Sequence, residues 1–475
     1  MSQLPLFFAL QLVGSWACLA FGPHRASWIC LGSGFLVGLA ITVFLALPLL
    51  LLGVFTPTSV VALLVALLAV SIAVAVHRGR VTSGLTLRLV AWASLFTAVC
   101  APFCAWNVAQ LTYDSEQFIA YANQLEREHQ LSLATLYWLH SWGSFQVVAH
   151  ALATVTEEQF LYALAPAFSV SLVATLGATL ERGLRELGLS ARGRTLAIAI
   201  ALGVLLAIPL VRVHVVYVHA NWTAAGYLFL FAASFWLADL LDDASYLAPA
   251  FLGLLAFGFA RVESPLFIAM LLPLVLSQTR FSRAVVLGPY LAFTLILAAW
   301  LLLMGSVVPD DSEYLSSSRS YLMAATMAAI FLAFLARDAA GRLLSWIPRV
   351  VAIGCVALAA IAIVMEPDAF QESFFTWQRD LWLGSYWGYV LWPVALVLGA
   401  ASAFITAPPY VRPMRYAIAL FFVLVVVLTT FSHAYSSGRF GGLTRLTLHV
   451  VPLLVFYLAL VVAPLASGFW KNRFQ

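Results

Sequence analysis

The sequence predicts an all-α fold, a polytopic bundle of transmembrane helices with a membrane-lying amphipathic loop on its outer side. Of the 475 residues, 63% are hydrophobic and 9% are charged, whereas about a quarter of the residues in soluble domains are charged. One long apolar segment follows another along the chain without an intervening polar block. Basic residues also collect in alternate loops, as they do in multi-pass membrane proteins. Lipid is therefore expected to be the main solvent of this surface.

A helix needs about 20 apolar residues to cross a bilayer, and this rule divides the chain into about 13–15 spans. The predicted spans are Pro5–Phe21, Trp28–Phe55, Ser59–Val76, Leu89–Trp106, Phe160–Leu180, Leu196–Val211, Ala224–Leu241, Tyr246–Ala260, Pro265–Leu276, Ala284–Met304, Tyr321–Leu335, Val350–Met365, Gly388–Ile405, Tyr416–Phe431 and Thr447–Ala466. We expect three regions. They are an N-terminal transmembrane extension plus the span leading into the outer loop (1–106), the outer amphipathic loop (107–159), and the transmembrane core with the C-terminal spans (160–475).

The distribution of charge predicts the sidedness of these spans. One set of alternate loops holds 17 of the 24 basic residues, and the other holds 14 of the 20 acidic residues. Because cytoplasmic loops carry the arginine and lysine excess, the first set is predicted to be cytoplasmic, together with the C-terminus. The loop 107–159 then lies on the outer side. Lys471 is the sole lysine, and this preference for arginine favours a bacterial source and hence the inner (cell) membrane.

Two classes of function are disfavoured by composition. The net charge of +4 comes from scattered arginines and not from the basic stripe that nucleic-acid binding requires, so we expect no nucleic-acid partner. The cysteines all lie in apolar segments, without a CxxC pair or a nearby histidine that would indicate a metal site. They are predicted to be inert core thiols: Cys18, Cys30, Cys100, Cys104 and Cys355.

The outer loop 107–159 is the one long segment outside the predicted spans, and loops of this length are usually functional. Two sets of apolar residues in it recur at helical spacing. They are Phe118, Tyr121, Ala122 and Leu125 in the first set, and Phe145, Val148 and Leu152 in the second. The pattern predicts two amphipathic helices that lie flat, with their apolar faces in the headgroup boundary.

A pair of acids opens this loop, at Tyr113-Asp114-Ser115-Glu116. One interpretation is structural: Asp114 caps the first helix, and Glu116 is an acid in its first turn. The other is catalytic: a carboxylate at the boundary of water and lipid removes a proton from an acceptor hydroxyl. The residues leave both interpretations open.

Seven arginines lie on the predicted outer side, where arginine at a helix end often marks an anion partner. Three of them have a carboxylate within a few residues and are expected to pair locally; these are Arg127, Arg319 and Arg379. For Arg261, Arg439 and Arg445, an anion site and local pairing are equally favoured. Arg212 lies beside His214, Tyr217 and His219 where a span meets the outer side. That group either lines a pocket or forms a polar belt with Trp222.

Three short motifs resemble those of the GT-C class of integral-membrane glycosyltransferases, which includes protein O-mannosyltransferases and lipid A aminoarabinose transferases. The first is acidic and precedes a membrane-lying helix, Asp114-Ser-Glu116-Gln-Phe-Ile-Ala-Tyr121-Ala122. The second is a basic turn after a span, Gly258-Phe-Ala-Arg261-Val-Glu263-Ser-Pro265. The third is a basic residue ahead of a proline in the last span, Arg445-Leu-Thr-Leu-His449-Val-Val-Pro452. The chain departs from the class in two ways, since about four spans precede the acidic loop and no large C-terminal outer domain follows.

The resemblance implies an inverting transfer of a sugar from a polyprenyl phosphate to a hydroxyl of a glycan, lipid or protein acceptor. Asp114 would be the general base, Glu116 would orient the acceptor or the sugar, and the arginines Arg261, Arg439 and Arg445 would hold the donor phosphate. Candidates for the rest of the pocket are Tyr113, Tyr121, Arg212, His214, His219, Glu263 and His449. No cofactor is implied with certainty, and Asp114 with Glu116 is the candidate position for a divalent metal. Acceptor contacts outside the long loop would come from small loops such as Ser306–Ser320 and Glu366–Leu383.

Two other functions stay open. An O-antigen-type polysaccharide polymerase or ligase would also use many spans, outer arginines and a large outer loop, although that loop normally falls late in the chain. A transporter or flippase should show inverted repeats or ionisable residues at mid-membrane, and neither is evident in the sequence. The early loop with its paired acids favours the glycosyltransferase.

Overall fold

A computed structural model of the chain describes residues 3–23, 27–106, 113–156, 163–268, 271, 281–308, 316–336, 346–382, 387–389, 391–404, 411–431 and 442–466. Every regular element in these residues is a helix, which confirms the predicted all-α class. Helices suit an apolar solvent because each one satisfies its backbone hydrogen bonds within a single segment.

The chain divides into two compact units, which differ from the three predicted regions. Unit 1 comprises Met1–Arg182, Val213–Ala238 and Ser245–Arg261, and unit 2 comprises Gly183–Arg212, Asp239–Ala244 and Val262–Gln475. Unit 1 therefore joins the predicted N-terminal extension and outer loop to part of the predicted core.

The helices of the first half of the chain belong mainly to unit 1. They are α1 Leu4–Phe21, α2 Ser27–Gly32, α3 Gly34–Leu51, α4 Pro57–His77, α5 Ser83–Trp106, α6 Tyr113–Glu128, α7 Leu133–Trp142, α8 Ser144–Thr156, α9 Leu164–Glu186, α12 Ala220–Leu241 and α13 Leu247–Ala260. Helix α10, Ala191–Ala207, belongs to unit 2, and α11, Pro209–Val216, carries residues of both units.

The remaining helices belong to unit 2. They are α14 Arg283–Val307, α15 Ser317–Leu335, α16 Ile347–Met365, α17 Pro367–Trp382, α18 Leu391–Phe404, α19 Arg412–Phe431, α20 Gly442–Thr447 and α21 Val451–Ala466. The segment Glu366–Leu383, expected to be a small loop, is largely the 16-residue helix α17.

Nine helices among the described residues are long and apolar enough to cross a membrane, and α10 and α11 pass the same test together. The chain is therefore an integral multi-pass membrane protein. Much of the predicted span Pro265–Leu276 lies outside the described residues, as do residues 309–315 of the predicted loop Ser306–Ser320. The total number of spans stays a prediction for that reason.

Two predicted spans are broken in the structure. The span Trp28–Phe55 consists of α2 and α3, which are separated at Ser33. The span Leu196–Val211 ends at Ile208, and α11 then leaves at an angle of 76° to α10. Pro209 explains the second break, because a proline has no backbone N–H to continue the helix and disfavours helical backbone in the residue before it.

Helices α1 and α3 of unit 1 touch through glycine. A Cβ atom on Gly14 would lie 2.3 Å from the backbone N of Gly38 and closer still to the carbonyl oxygen of Gly34. The two backbones can approach this closely only because none of the three residues has a side chain. Small residues at helix contacts are typical of membrane proteins, where packing and not the hydrophobic effect holds helices together.

Both helices predicted in the outer loop are present, and the structure adds α7 between them. The predicted apolar faces of α6 and α8 are buried, and the two helices pack against each other. Helix α8 is buried from Ser144 to Val155 and also packs against α3, α4 and α13. The sequence predicted these faces in the headgroup boundary. In the structure their partner is protein, because α6 and α8 cover each other.

Candidate active site

Asp114 and Glu116 lie in the first turn of α6. The helix begins at Tyr113, whose side chain lies outside the described residues, so Asp114 is the second helical residue and not the residue that precedes the helix. The positive end of the helix dipole stabilises an acidic side chain there by about 0.3–1 kcal/mol. This position therefore suits acidic side chains at the start of α6.

The carboxylate of Asp114 meets a tyrosine and a histidine that lie about a hundred residues further along the chain. Its Oδ2 atom is 3.5 Å from the hydroxyl of Tyr217 and 3.5 Å from Nε2 of His219. The hydroxyl of Ser115 donates a hydrogen bond of 3.1 Å to the carbonyl of Val218, which ties the two segments together. His219 is buried, whereas the Asp114 side chain is 25% exposed. The carboxylate is therefore held by the interior of unit 1 and still reached by solvent.

The surroundings of His219 fix its tautomer. The backbone N–H of Asn221 donates to Nδ1 of His219 at 3.2 Å, so Nδ1 carries a lone pair. The proton of the neutral ring is then on Nε2, which faces Asp114. The His219 ring stacks on the ring of Tyr217, with centroids 5.2 Å apart, and lies nearly perpendicular to the ring of Phe118, with centroids 5.7 Å apart. These contacts hold the orientation of the histidine ring. Asp114 thus faces two donors, and donors to a carboxylate favour its charged form.

Glu116 is exposed and lines a cavity along the polar face of α6. The cavity has a volume of about 670 Å³. The described residues of its lining all belong to α6; they are Glu116, Ile119, Ala120, Asn123, Gln124, Arg127 and Glu128. The two acids of the motif therefore have different environments, one held by donors and one facing an open cavity.

Arg261 lies in unit 1 and belongs structurally with the outer loop. It follows the last residue of α13 in extended conformation and is half-buried. Gly143, between α7 and α8, packs against it so closely that a Cβ atom would lie 2.1 Å from the carbonyl oxygen of Ala260 and 3.1 Å from the backbone N of Arg261. The turn between α7 and α8 thus sets the position of this arginine.

The other predicted phosphate ligands lie in unit 2 or outside the described residues. Arg439 lies outside the described residues, and Arg445 is half-buried on α20 in unit 2. His449 is buried beside Phe421, with ring centroids 6.1 Å apart, and Glu263 is buried in unit 2. The convergence of Arg261, Arg439 and Arg445 therefore stays a prediction.

The structure separates the remaining pocket candidates. Tyr121 is on the buried face of α6, where its hydroxyl donates to Gln117 at 2.9 Å, and it does not line the cavity. Arg212 is exposed. His214 is buried and its ring contacts Tyr217 at 5.2 Å, so the histidines adjoin the cluster at Asp114 and do not form an exposed belt.

A buried polar network behind this cluster was not expected from the sequence. Thr223 donates to Oε1 of Gln146 at 2.7 Å, which turns the amide nitrogen of Gln146 toward Nε2 of His150 at 2.9 Å. His150 therefore accepts at Nε2 and is neutral, and burial lowers its pKa to about 3. Gln146 and His150 are four residues apart on α8, but their apolar neighbours conceal the pair in the sequence.

A metal centre has no support in the described residues, in which no three histidine, cysteine or acidic side chains come close enough to hold an ion. Comparisons with protein-family models, with curated proteins and with solved structures gave no significant match. The function is therefore argued from the site itself.

Proposed function

We propose that this protein is a membrane glycosyltransferase that moves a sugar from a polyprenyl phosphate to an acceptor hydroxyl on the outer face of a bacterial inner membrane. The observation that carries the proposal is the environment of Asp114. A partly exposed carboxylate at the start of the outer-loop helix faces two donors, Tyr217 and His219, and lies two residues from an acid that lines a large cavity. A general base needs this combination of a fixed orientation and access to the substrate.

Asp114 would accept the proton of the acceptor hydroxyl as that oxygen attacks the anomeric carbon of the donor sugar. The bond from the anomeric carbon to the phosphate oxygen breaks on the opposite side, so the configuration inverts. The negative charge that develops on the leaving phosphate requires cations, and Arg261 is the candidate in unit 1. Arg439 and Arg445 are the candidates in unit 2. With no cofactor in this scheme, most of the rate comes from positioning the two substrates.

The substitution Asp114→Asn tests this role. Asparagine keeps the size of the side chain but cannot accept a proton at neutral pH, and loss of a general base lowers the rate by about 10²–10⁴-fold. The structural cost has two parts: the lost dipole interaction is worth about 0.3–1 kcal/mol, and the contacts of Tyr217 and His219 with an uncharged amide oxygen are weaker than those with a carboxylate. Asp368→Asn is the matched control, since Asp368 is an exposed acid in the first turn of α17.

The assay would follow sugar transfer from a panel of radiolabelled polyprenyl-phosphate hexoses and pentoses, with the purified protein in lipid nanodiscs. Size exclusion would establish that each variant is folded. We expect Asp368→Asn to retain full activity and Asp114→Asn to lose it. A well-folded Asp114→Asn variant with normal transfer would exclude the proposed mechanism.

A transporter of lipid-linked sugars is the second candidate, because α10 and α11 form a span broken by a bend of 76°. Broken helices commonly form the substrate sites of transporters. This function predicts movement of a labelled lipid-linked sugar across the bilayer of a proteoliposome without release of the sugar from its phosphate. In the same preparation, the transferase predicts release of the sugar from its phosphate without movement of the lipid-linked sugar across the bilayer.

A further inference from the structure

The cavity along α6 has the dimensions of an extended ligand site. Its lining residues begin at Glu116 and end at Glu128, and the spacing between them follows one face of the helix. Twelve residues of helix rise by about 18 Å, so a ligand along this face would contact the helix over most of its length. The cavity begins two residues from Asp114.

The polar side chains of this wall offer both hydrogen-bond donors and acceptors. Nε2 of Gln124 donates one of its two N–H groups to Oε1 of Glu128 at 2.8 Å, which leaves the other N–H and the carbonyl oxygen of Gln124 for a ligand. The second oxygen of Glu128, Oε2, is shielded from solvent and has no hydrogen-bond partner among the described residues. A buried acceptor without a partner costs about 1–3 kcal/mol. Because Oε2 is shielded, a donor on a ligand would satisfy it only after the Glu128 side chain turns toward the cavity.

The charges and polarity of the lining exclude several ligand classes. Among the described lining residues, two carboxylates and one guanidinium give a formal charge of about −1, which disfavours phosphates and nucleic acids. Only Ile119 and Ala120 of these residues are apolar, so a hydrocarbon chain would leave their polar neighbours without partners. This face of α6 offers neither a sheet edge nor a row of side-chain pockets, which are the features that bind an extended peptide.

The geometry points to a carbohydrate chain as the ligand of this cavity. Each sugar hydroxyl both donates and accepts, which suits a row of carboxylate, amide and guanidinium groups. The inference rests on the proposed function and narrows it: the acceptor is a glycan that lies along α6. Its reactive hydroxyl is at the Glu116 end, next to Asp114. The residues that would select the acceptor are Gln124, Glu128 and Asn123, which lies midway along this face of α6. They would take no part in the chemistry.

Saturation-transfer NMR on the full chain in nanodiscs would detect this binding without any turnover. The probes are neutral linear tetrasaccharides of glucose, galactose, mannose and N-acetylglucosamine, with the corresponding glucosamine chain and an acidic galacturonic acid chain for comparison. At least one neutral or amino-sugar chain should bind. Asn123→Ala should weaken that binding about five- to tenfold, the effect of one lost hydrogen bond of about 1–1.4 kcal/mol. Alanine favours the helix, so folding is retained.

Glu126→Gln is the matched control, because Glu126 is on the same helix but does not line the cavity. The inference is overturned if no saccharide binds, or if Asn123→Ala and Glu126→Gln bind the saccharide as well as the unchanged protein does. Preferential binding of an extended serine- and threonine-rich peptide would also overturn it. Asp114→Asn separates the two proposals, since it should bind the glycan normally and transfer no sugar. If the unchanged protein binds a saccharide but transfers sugar from none of the polyprenyl-phosphate donors, the proposed transferase is contradicted. The inference that the cavity binds carbohydrate would still hold.

Discussion

Gly143 offers a direct test of how the outer loop positions Arg261. Its backbone has φ of +84°, a conformation that residues with a side chain rarely adopt. A Cβ atom there would lie 2.1 Å from the carbonyl oxygen of Ala260, which is backbone and cannot rotate away. Gly143→Ala would therefore force α8 and the end of α13 apart.

The magnitude follows from two separate costs. The unfavourable backbone conformation of an alanine contributes about 1–3 kcal/mol, and the forced displacement of packed backbone contributes about 1–3 kcal/mol more. We expect Gly143→Ala to lower the free energy of unfolding by about 2–6 kcal/mol. Gly79→Ala isolates the first cost, because Gly79 has φ of +64° and an added Cβ atom would have no neighbour within 4 Å. Its expected loss is about 1–2 kcal/mol.

The assay is reversible chemical unfolding in mixed micelles, followed by tryptophan fluorescence. The same two variants would be compared in sugar transfer at a temperature at which both are folded. We expect Gly143→Ala to lose transfer more severely than Gly79→Ala, because Arg261 moves with Ala260. Equal stability of the two variants would refute the close contact between Gly143 and α13 that this reasoning assumes.

Two further predictions concern acid stability and topology. The pKa of His150 is lowered to about 3 by burial, against about 6.5 in the unfolded chain. The free energy of unfolding should therefore fall as the pH drops below 6.5, by roughly 2 kcal/mol at pH 5. His150→Gln should remove most of this pH dependence. An unchanged pH dependence in this variant would contradict a neutral His150. Leu133 is 75% exposed at the start of α7. In a background without the native cysteines, the variant Leu133→Cys should react with a membrane-impermeant maleimide added outside intact cells. Labelling by permeant reagents alone would invert the predicted sidedness.

The sequence allows the all-α class and the helices of the outer loop to be predicted because both depend on local pattern. A 3.6-residue period identifies the buried face of α6, and Phe118 and Leu125 are indeed buried. The period does not identify the partner of that face, since lipid and protein both cover apolar side chains. The partner is α8, whose own polar pair, Gln146 and His150, is hydrogen-bonded inside the protein.

The candidate site is predictable only in part for a related reason. Asp114 and Glu116 stand out because two acids follow a long apolar segment, and composition makes acids rare in this chain. Their different environments depend on a contact between segments about a hundred residues apart, which brings Tyr217 and His219 to Asp114. No local spacing encodes that contact. The pattern Asn221-Trp-Thr223, which resembles a glycosylation site, in fact supplies a backbone donor to His219 and a hydroxyl donor to Gln146.

The packing of α6 on α8 bears on how precisely Asp114 can be positioned. A helix that rests only on lipid follows the fluctuations of the bilayer surface, whereas a catalytic group must be held within about 0.5 Å of its productive position. In unit 1 the apolar face of α6 is buried against a helix that is itself enclosed, and the hydrogen bond from Ser115 to Val218 fixes its first turn. The polar face of the same helix stays open as a cavity. Helix α6 can therefore hold the Asp114 carboxylate in place on one side while its other side stays accessible, and the proposed transferase, which depends on positioning, requires both.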